Sequence, residues 1–129
     1  MKQQLTTMDP EFRAAIEEQQ QAYDAAAIKS QASEAEYKDA ILRLLKLSQS
    51  DSNAGEVAAQ ILLSTYNSYN WHAPLAWFCH LDAFNFDAAI TVIKGRWSLH
   101  VEPHNVIQNG HAIFEDLKKR WPDLPIQSK

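Results

Sequence analysis

The chain has 129 residues, 46% of them hydrophobic and 22% charged, with a formal net charge of −4. That length suffices for one domain with its own core, and the composition excludes wholesale disorder and fibrous classes. The acidic balance disfavours general nucleic-acid binding, which needs a basic field.

Three glycines, five prolines and a surplus of Ala, Gln, Glu, Leu and Lys favour helices over a turn-rich β domain. The charge is uneven. Residues 1–60 carry six basic and ten acidic side chains, and residues 61–129 carry six of each, so a basic partner would meet the N-terminal half. Cys79 is the single cysteine, which rules out an intrachain disulfide and fits a cytoplasmic location. Met1 to Met8 lacks the apolar stretch of a secretory signal, and no segment approaches the roughly 20 apolar residues that span a bilayer.

Taken in chain order, Asp9-Pro10-Glu11 reads as an N-cap, a proline at the first helical position and an acidic first turn. Phe12, Ile16, Gln19, Tyr23 and Ala26 then recur at alternating spacings of four and three, a narrow seam suited to packing on another helix. Ser33 and Glu36 have capping-box spacing and open a second helix. Its face holds Tyr37, Ile41, Leu44 and Leu45, widened by Leu42 and Leu47. Ser48 to Ser52 reads as a polar, mobile linker.

Asn53 and Glu56 repeat the capping arrangement ahead of a third helix with Val57, Ala58, Ile61, Leu62 and Thr65 on one side. Tyr66 to Asn70 ends it, and a loop leads past Pro74 to Leu75–Cys79. Asp82 or Asn85 caps a fourth helix whose core face is expected to be Phe86, Ala89, Ile90, Ile93 and Trp97. A buried strand over Ile90–Ile93 is the minor alternative. Glu102-Pro103 is expected to open a fifth helix, with Val106, Ile107, Gly110, Ile113, Phe114, Leu117 and Trp121 on one face and Pro122 and Pro125 ending it. The four tryptophans, Trp71, Trp77, Trp97 and Trp121, place the core in the second half.

The pattern therefore predicts an all-α protein, a small bundle of about five helices. Residues 1–50 form a more polar N-terminal arm or hairpin and residues 51–129 an aromatic-rich C-terminal domain, together one folding unit.

No catalytic site and no cofactor is encoded by any recognisable spacing. Cys79, His80, His100, His104 and His111 are ligand types that zinc accepts. Adjacent Cys79 and His80 would point apart on a helix, however, and exposed histidines with a buried thiol are the plainer reading. Gly55, Gly95 and Gly110 are isolated, so no phosphate loop is formed. Lys118, Lys119, Arg120 and Trp121 could grip a nucleic-acid backbone, yet a basic last turn is also what a helix end prefers.

Leu81-Asp82, Ala88-Ala89, Val92-Ile93, Arg96, Glu102-Pro103-His104, Asn109-Gly110 and Phe114, within Val57 to Trp121, resemble a family of small bacterial proteins of unknown function carried on integrative elements and plasmids. The resemblance implies an accessory protein that regulates or inhibits a host or element-encoded partner. Arg96 and Glu102 flank the connection between the fourth and fifth helices and are expected to pair. The expected function is a non-enzymatic protein-interaction module that binds a protein partner or itself, as a homodimer. Its contact residues are expected to be Phe12, Ile16, Tyr23, Arg96, Glu102 and His104. A zinc-binding protein and a nucleic-acid accessory protein are the alternatives, and no membrane partner is expected.

Overall fold

In the computed structural model, residues 9–126 are described, and all regular structure among them is helical. They hold α1 (Pro10–Lys29), α2 (Glu34–Leu47), α3 (Asn53–Tyr66), a 3₁₀ helix (Leu75–His80), α4 (Ala83–Leu99), a short 3₁₀ turn (Pro103–Asn105) and α5 (Gly110–Arg120). The fold is a small all-α bundle, and the strand alternative for Ile90–Ile93 gives way to helix. The chain divides into two compact units, with the boundary between Gln31 and Ala32.

The first unit contains α1, which starts at Pro10 as the sequence leads one to expect, although the Asp9 side chain makes no capping bond. Side-chain bonds one turn apart, Gln19 to Tyr23 at 3.3 Å and Gln20 to Asp24 at 3.0 Å, brace it. No residue of α1 is buried.

In the second unit, Ser33 and Glu36 form the expected capping box: Glu36 N donates to Ser33 Oγ at 3.1 Å and Ser33 N to Glu36 Oε1 at 3.0 Å. The same bond from the Ser33 backbone, which favours the charged form, holds the Glu36 carboxyl below its ordinary range. α2 buries Tyr37, Ala40, Ile41, Leu44 and Leu45, while Leu42 turns to solvent. α3 is capped by Ser52 rather than Asn53, with Gly55 N donating to Ser52 Oγ at 3.0 Å. Its run Val57, Ala58, Ala59, Ile61, Leu62 and Leu63 is buried nearly all round, since α3 touches every other element of this unit.

The most extensive packing joins α2 to α4, and it corrects the expected face of α4. The buried side holds Ala88, Ala89, Val92 and Gly95, whereas Phe86, Ile93 and Trp97 are exposed and Ile90 is half-buried. Both sides of α4 are apolar, so periodicity alone does not choose between them. Small residues win because they let the helices approach closely: a Cβ at position 95 would overlap the Tyr37 ring. The core is accordingly shared between α2 and the later helices, not concentrated in the second half. Of the tryptophans, Trp71 is buried and Trp121 half-buried, but Trp77 and Trp97 are exposed.

Two further expectations are corrected. Ser48 is fully buried, and its carbonyl accepts Arg120 Nε and Trp121 Nε1, both at 3.0 Å. Arg120 also donates to the Gln49 carbonyl and reaches Asp51 at 3.0 Å, so Ser48–Ser52 is a clamped turn. The fifth helix starts at Gly110 and not at Pro103. Asn109 adopts a left-handed conformation, φ 58°, and the chain folds back so tightly that a Cβ at Gly110 would strike the His104 carbonyl. The left-handed turn ends the Pro103–Asn105 segment before any α-helix can propagate.

Replacing Gly95 with alanine tests the α2–α4 contact. Alanine gains about 1 kcal/mol of helix propensity, but the overlap is with the rigid Tyr37 ring and Cβ, and overpacking costs about 1–3 kcal/mol. Urea unfolding is expected to show net destabilisation, against the propensity trend.

Candidate functional site

Three residues that the sequence singles out as contacts, Arg96, Glu102 and His104, meet around one pocket of about 700 Å3, together with Ser64–Tyr69 at the C-terminal end of α3. The last turn of α4 supplies Arg96. The left-handed His100, φ 56°, ends that helix and redirects the chain. Glu102 and His104 then follow on either side of the buried Pro103.

Arg96 and Glu102 do not pair, contrary to expectation. Arg96 Nε donates to the Thr65 carbonyl at 3.2 Å, capping an unpaired carbonyl at the end of α3. Its terminal nitrogens take no hydrogen-bond partner among the described residues. The Glu102 carboxylate lies 3.6 Å from His104 Nδ1, beyond hydrogen-bond reach, and leaves that buried nitrogen unsatisfied. The imidazole stands edge-on to the Tyr66 ring, centroids 4.9 Å apart. Lys118 holds Tyr66 from the other side: it donates to the Tyr66 hydroxyl at 3.2 Å and to Glu115 at 2.8 Å, and lies 4.8 Å from the Tyr66 ring centre. The bond to Glu115 raises the Lys118 pKa and, in return, holds the Glu115 carboxyl below its usual range.

Ser64, Thr65 and Ser68 also line a second hollow of about 300 Å3 whose other walls include Ile61, Phe78, Leu75 and Ile93. A polar basin and an apolar one thus share a wall. The hydroxyls of that wall donate back to backbone carbonyls, Ser64 and Thr65 to Ile61 and Ser68 to Ser64. They therefore face the pockets chiefly as acceptors. The Ser64–Tyr69 wall was not anticipated. Its signal is a run of seven hydroxyl- and amide-bearing residues, Ser64 to Asn70, denser than the end of a helix requires.

The other candidates are placed differently. Phe12 and Tyr23 are exposed on α1 and Ile16 is half-buried. Cys79, expected to be buried, is exposed on the 3₁₀ helix beside His80, which packs edge-on against Trp77 at 5.8 Å. His100 serves as the C-cap of α4 and His111 lies exposed on α5. Among the described residues no three His, Cys, Asp or Glu side chains are grouped as a metal ion requires, so the proposed set is scattered over separate elements. Of the basic cluster, Lys118, Arg120 and Trp121 hold Tyr66, Asp51 and Ser48, while Lys119 is exposed. These are internal bonds, not a free phosphate-binding face. Among the described residues no helix is long and apolar enough to cross a membrane.

A protein-family model described as a family of unknown function, DUF7673, matches residues 38–122. The chain belongs to this family. No curated protein and no solved structure matches it. The DUF7673 segment begins within α2 and ends just after α5, so it takes in both pockets and all of α4 and leaves out α1.

Tyr37 links this region to the core: it is fully buried, and its hydroxyl donates to the Val101 carbonyl at 2.7 Å. Burial pushes the phenol up to about 12, against the pull of Arg96. An acid whose folded pKa is raised stabilises the fold below its unfolded value and loses that contribution as pH climbs through the folded one. The stability advantage of wild type over Tyr37→Phe in urea unfolding should therefore be constant up to about pH 10 and shrink between about 10 and 12. An advantage that stays level across that window would contradict the placement of Tyr37.

Proposed function

We propose that the protein is a non-enzymatic interaction module that works by self-association through the outer face of α4. The observation that carries this reading is the stripe Phe86, Ile90, Ile93 and Trp97. The first, third and fourth are 40%, 40% and 56% exposed, on a helix whose opposite side is already packed. The spacings of four, three and four are those of a helix–helix seam, and an uncovered apolar stripe of this size marks a contact surface.

A second copy is the occupant that fits. A two-fold interface is self-complementary. Two α4 helices set antiparallel about the midpoint between Ile90 and Ile93 bring Phe86 of each against Trp97 of the other and Ile90 against Ile93. Asp87 and Lys94 lie on the same flank of the stripe, seven residues apart, so the antiparallel pairing sets each Asp87 near the Lys94 of the second copy, twice. Parallel pairing would put this flank of the two copies on opposite sides of the seam and leave these charges without each other. The α1 seam, with Phe12 and Tyr23 exposed and Ile16 half-buried, supports the same general reading.

A dimeric, contact-driven protein of the cytoplasm also suits an accessory protein of a mobile element that regulates or inhibits a host or element-encoded partner. That is the role the resemblance of the Val57 to Trp121 stretch implies.

Light scattering across a concentration series tests this. The wild type is expected to be a dimer and Ile93→Asp a monomer, with a dissociation constant raised at least about a hundredfold, the effect of losing a central apolar anchor. Asp87→Lys should weaken the dimer, and adding Lys94→Asp to it should restore it. A monomeric wild type, or a dimer indifferent to Ile93→Asp, would contradict the proposal.

A further inference from the structure

The polar pocket beside α3 holds two charges of opposite sign that the fold does not let meet. Arg96 is fixed by its Nε on the Thr65 carbonyl, which leaves the two terminal nitrogens, the pair that grips a carboxylate end-on, without a hydrogen-bond partner among the described residues. Glu102 stands on the same pocket with its carboxylate out of hydrogen-bond range of His104, and no ion pair joins it to Arg96 among the described residues. Leaving the Arg96 terminal nitrogens and the Glu102 carboxylate without hydrogen bonds in a concavity forgoes favourable contacts that a ligand could restore.

The rest of the lining is consistent in sign. The pocket sits at the C-terminal end of α3, where the helix dipole and the remaining carbonyls favour a cation. The Ser64, Thr65 and Ser68 hydroxyls add acceptors. An anion alone would satisfy Arg96 and be opposed by Glu102 and the helix end, while a cation alone would leave Arg96 unmatched. The apolar hollow across the shared Ser64, Thr65 and Ser68 wall, with Ile61, Phe78 and Ile93, offers room for an aliphatic group. About 700 Å3 lies within the range of small-molecule sites.

We propose that this pocket binds a small zwitterion of the free amino-acid type bearing an aliphatic side chain. The ligand's carboxylate lies on Arg96, its ammonium on Glu102 and the end of α3, and its side chain is directed to the apolar hollow. The charged groups of the site, Arg96 and Glu102, lie outside the α4 stripe, although Ile93 borders both the stripe and the apolar hollow.

Titration calorimetry and thermal shift with three matched probes test it. L-leucine carries both charges, isocaproate lacks the ammonium, and isoamylamine lacks the carboxylate. Leucine should bind at least about tenfold tighter than either, the worth of one charge-assisted contact. Glu102→Gln, at a half-exposed position that spares the fold, should weaken leucine at least about tenfold and, by removing a like charge, leave isocaproate no weaker than before. Arg96→Gln, with helicity checked by circular dichroism, should abolish binding of both. The proposal is overturned if leucine produces no heat or thermal shift at millimolar concentration, if isocaproate binds as tightly as leucine, or if Glu102→Gln has no effect.

Discussion

The Tyr37 ring lies against Gly95, and the closeness of that contact sets the geometry of the whole second unit. Because position 95 has no side chain, α4 settles onto α2 with Ala88, Ala89 and Val92 along the same seam. The phenol hydroxyl then reaches past α4 to the Val101 carbonyl and fixes the chain just beyond the left-handed turn at His100. One aromatic side chain thereby locks a helix crossing and the exit from α4.

Two surfaces follow from that lock. Turning the small residues inward forces the large ones of α4 outward, which is why Phe86, Ile93 and Trp97 meet solvent. Fixing the exit of α4 places Glu102 and His104 opposite the end of α3, with Arg96 already tied to Thr65. The same constraint produces an apolar face suited to another helix and a polar pocket in which opposite charges are held apart. α5 closes the unit from the other end, through Arg120 and Trp121 on the Ser48 carbonyl and Lys118 on Tyr66.

Much of this was legible in the residues, and what was not has physical causes. The Ser33–Glu36 capping box, Asp82 as one of two candidate caps of α4, and Tyr37, Ile41, Leu44 and Leu45 on the buried face of α2 follow from local rules and are found, whereas Leu42, expected to widen that face, turns to solvent. The buried face of α4 is not legible in the periodicity because hydrophobicity is nearly the same on both of its faces. Steric fit against Tyr37, a residue some sixty positions away, decides the matter. The start of α5 was misplaced because Pro103 is a good first helical residue, whereas the left-handed Asn109 and the close pass of Gly110 over His104 are tertiary facts. Ser48–Ser52 read as a linker because its partners, Arg120 and Trp121, lie at the far end of the chain. For the site, Arg96, Glu102 and His104 were singled out together, but as a pair and a neighbour. Their separation around a pocket depends on the end of α3, which no local pattern links to them.

Hydrogen exchange of backbone amides under native conditions addresses the Tyr37–Gly95 lock directly, because it resolves which segments open together. If α2 and α4 are held as one piece by that contact, the amides flanking Tyr37 and those flanking Gly95 should exchange with the same free energy of opening, equal to that of global unfolding. Amides of α4 that open at markedly lower free energy while α2 stays protected would contradict the account.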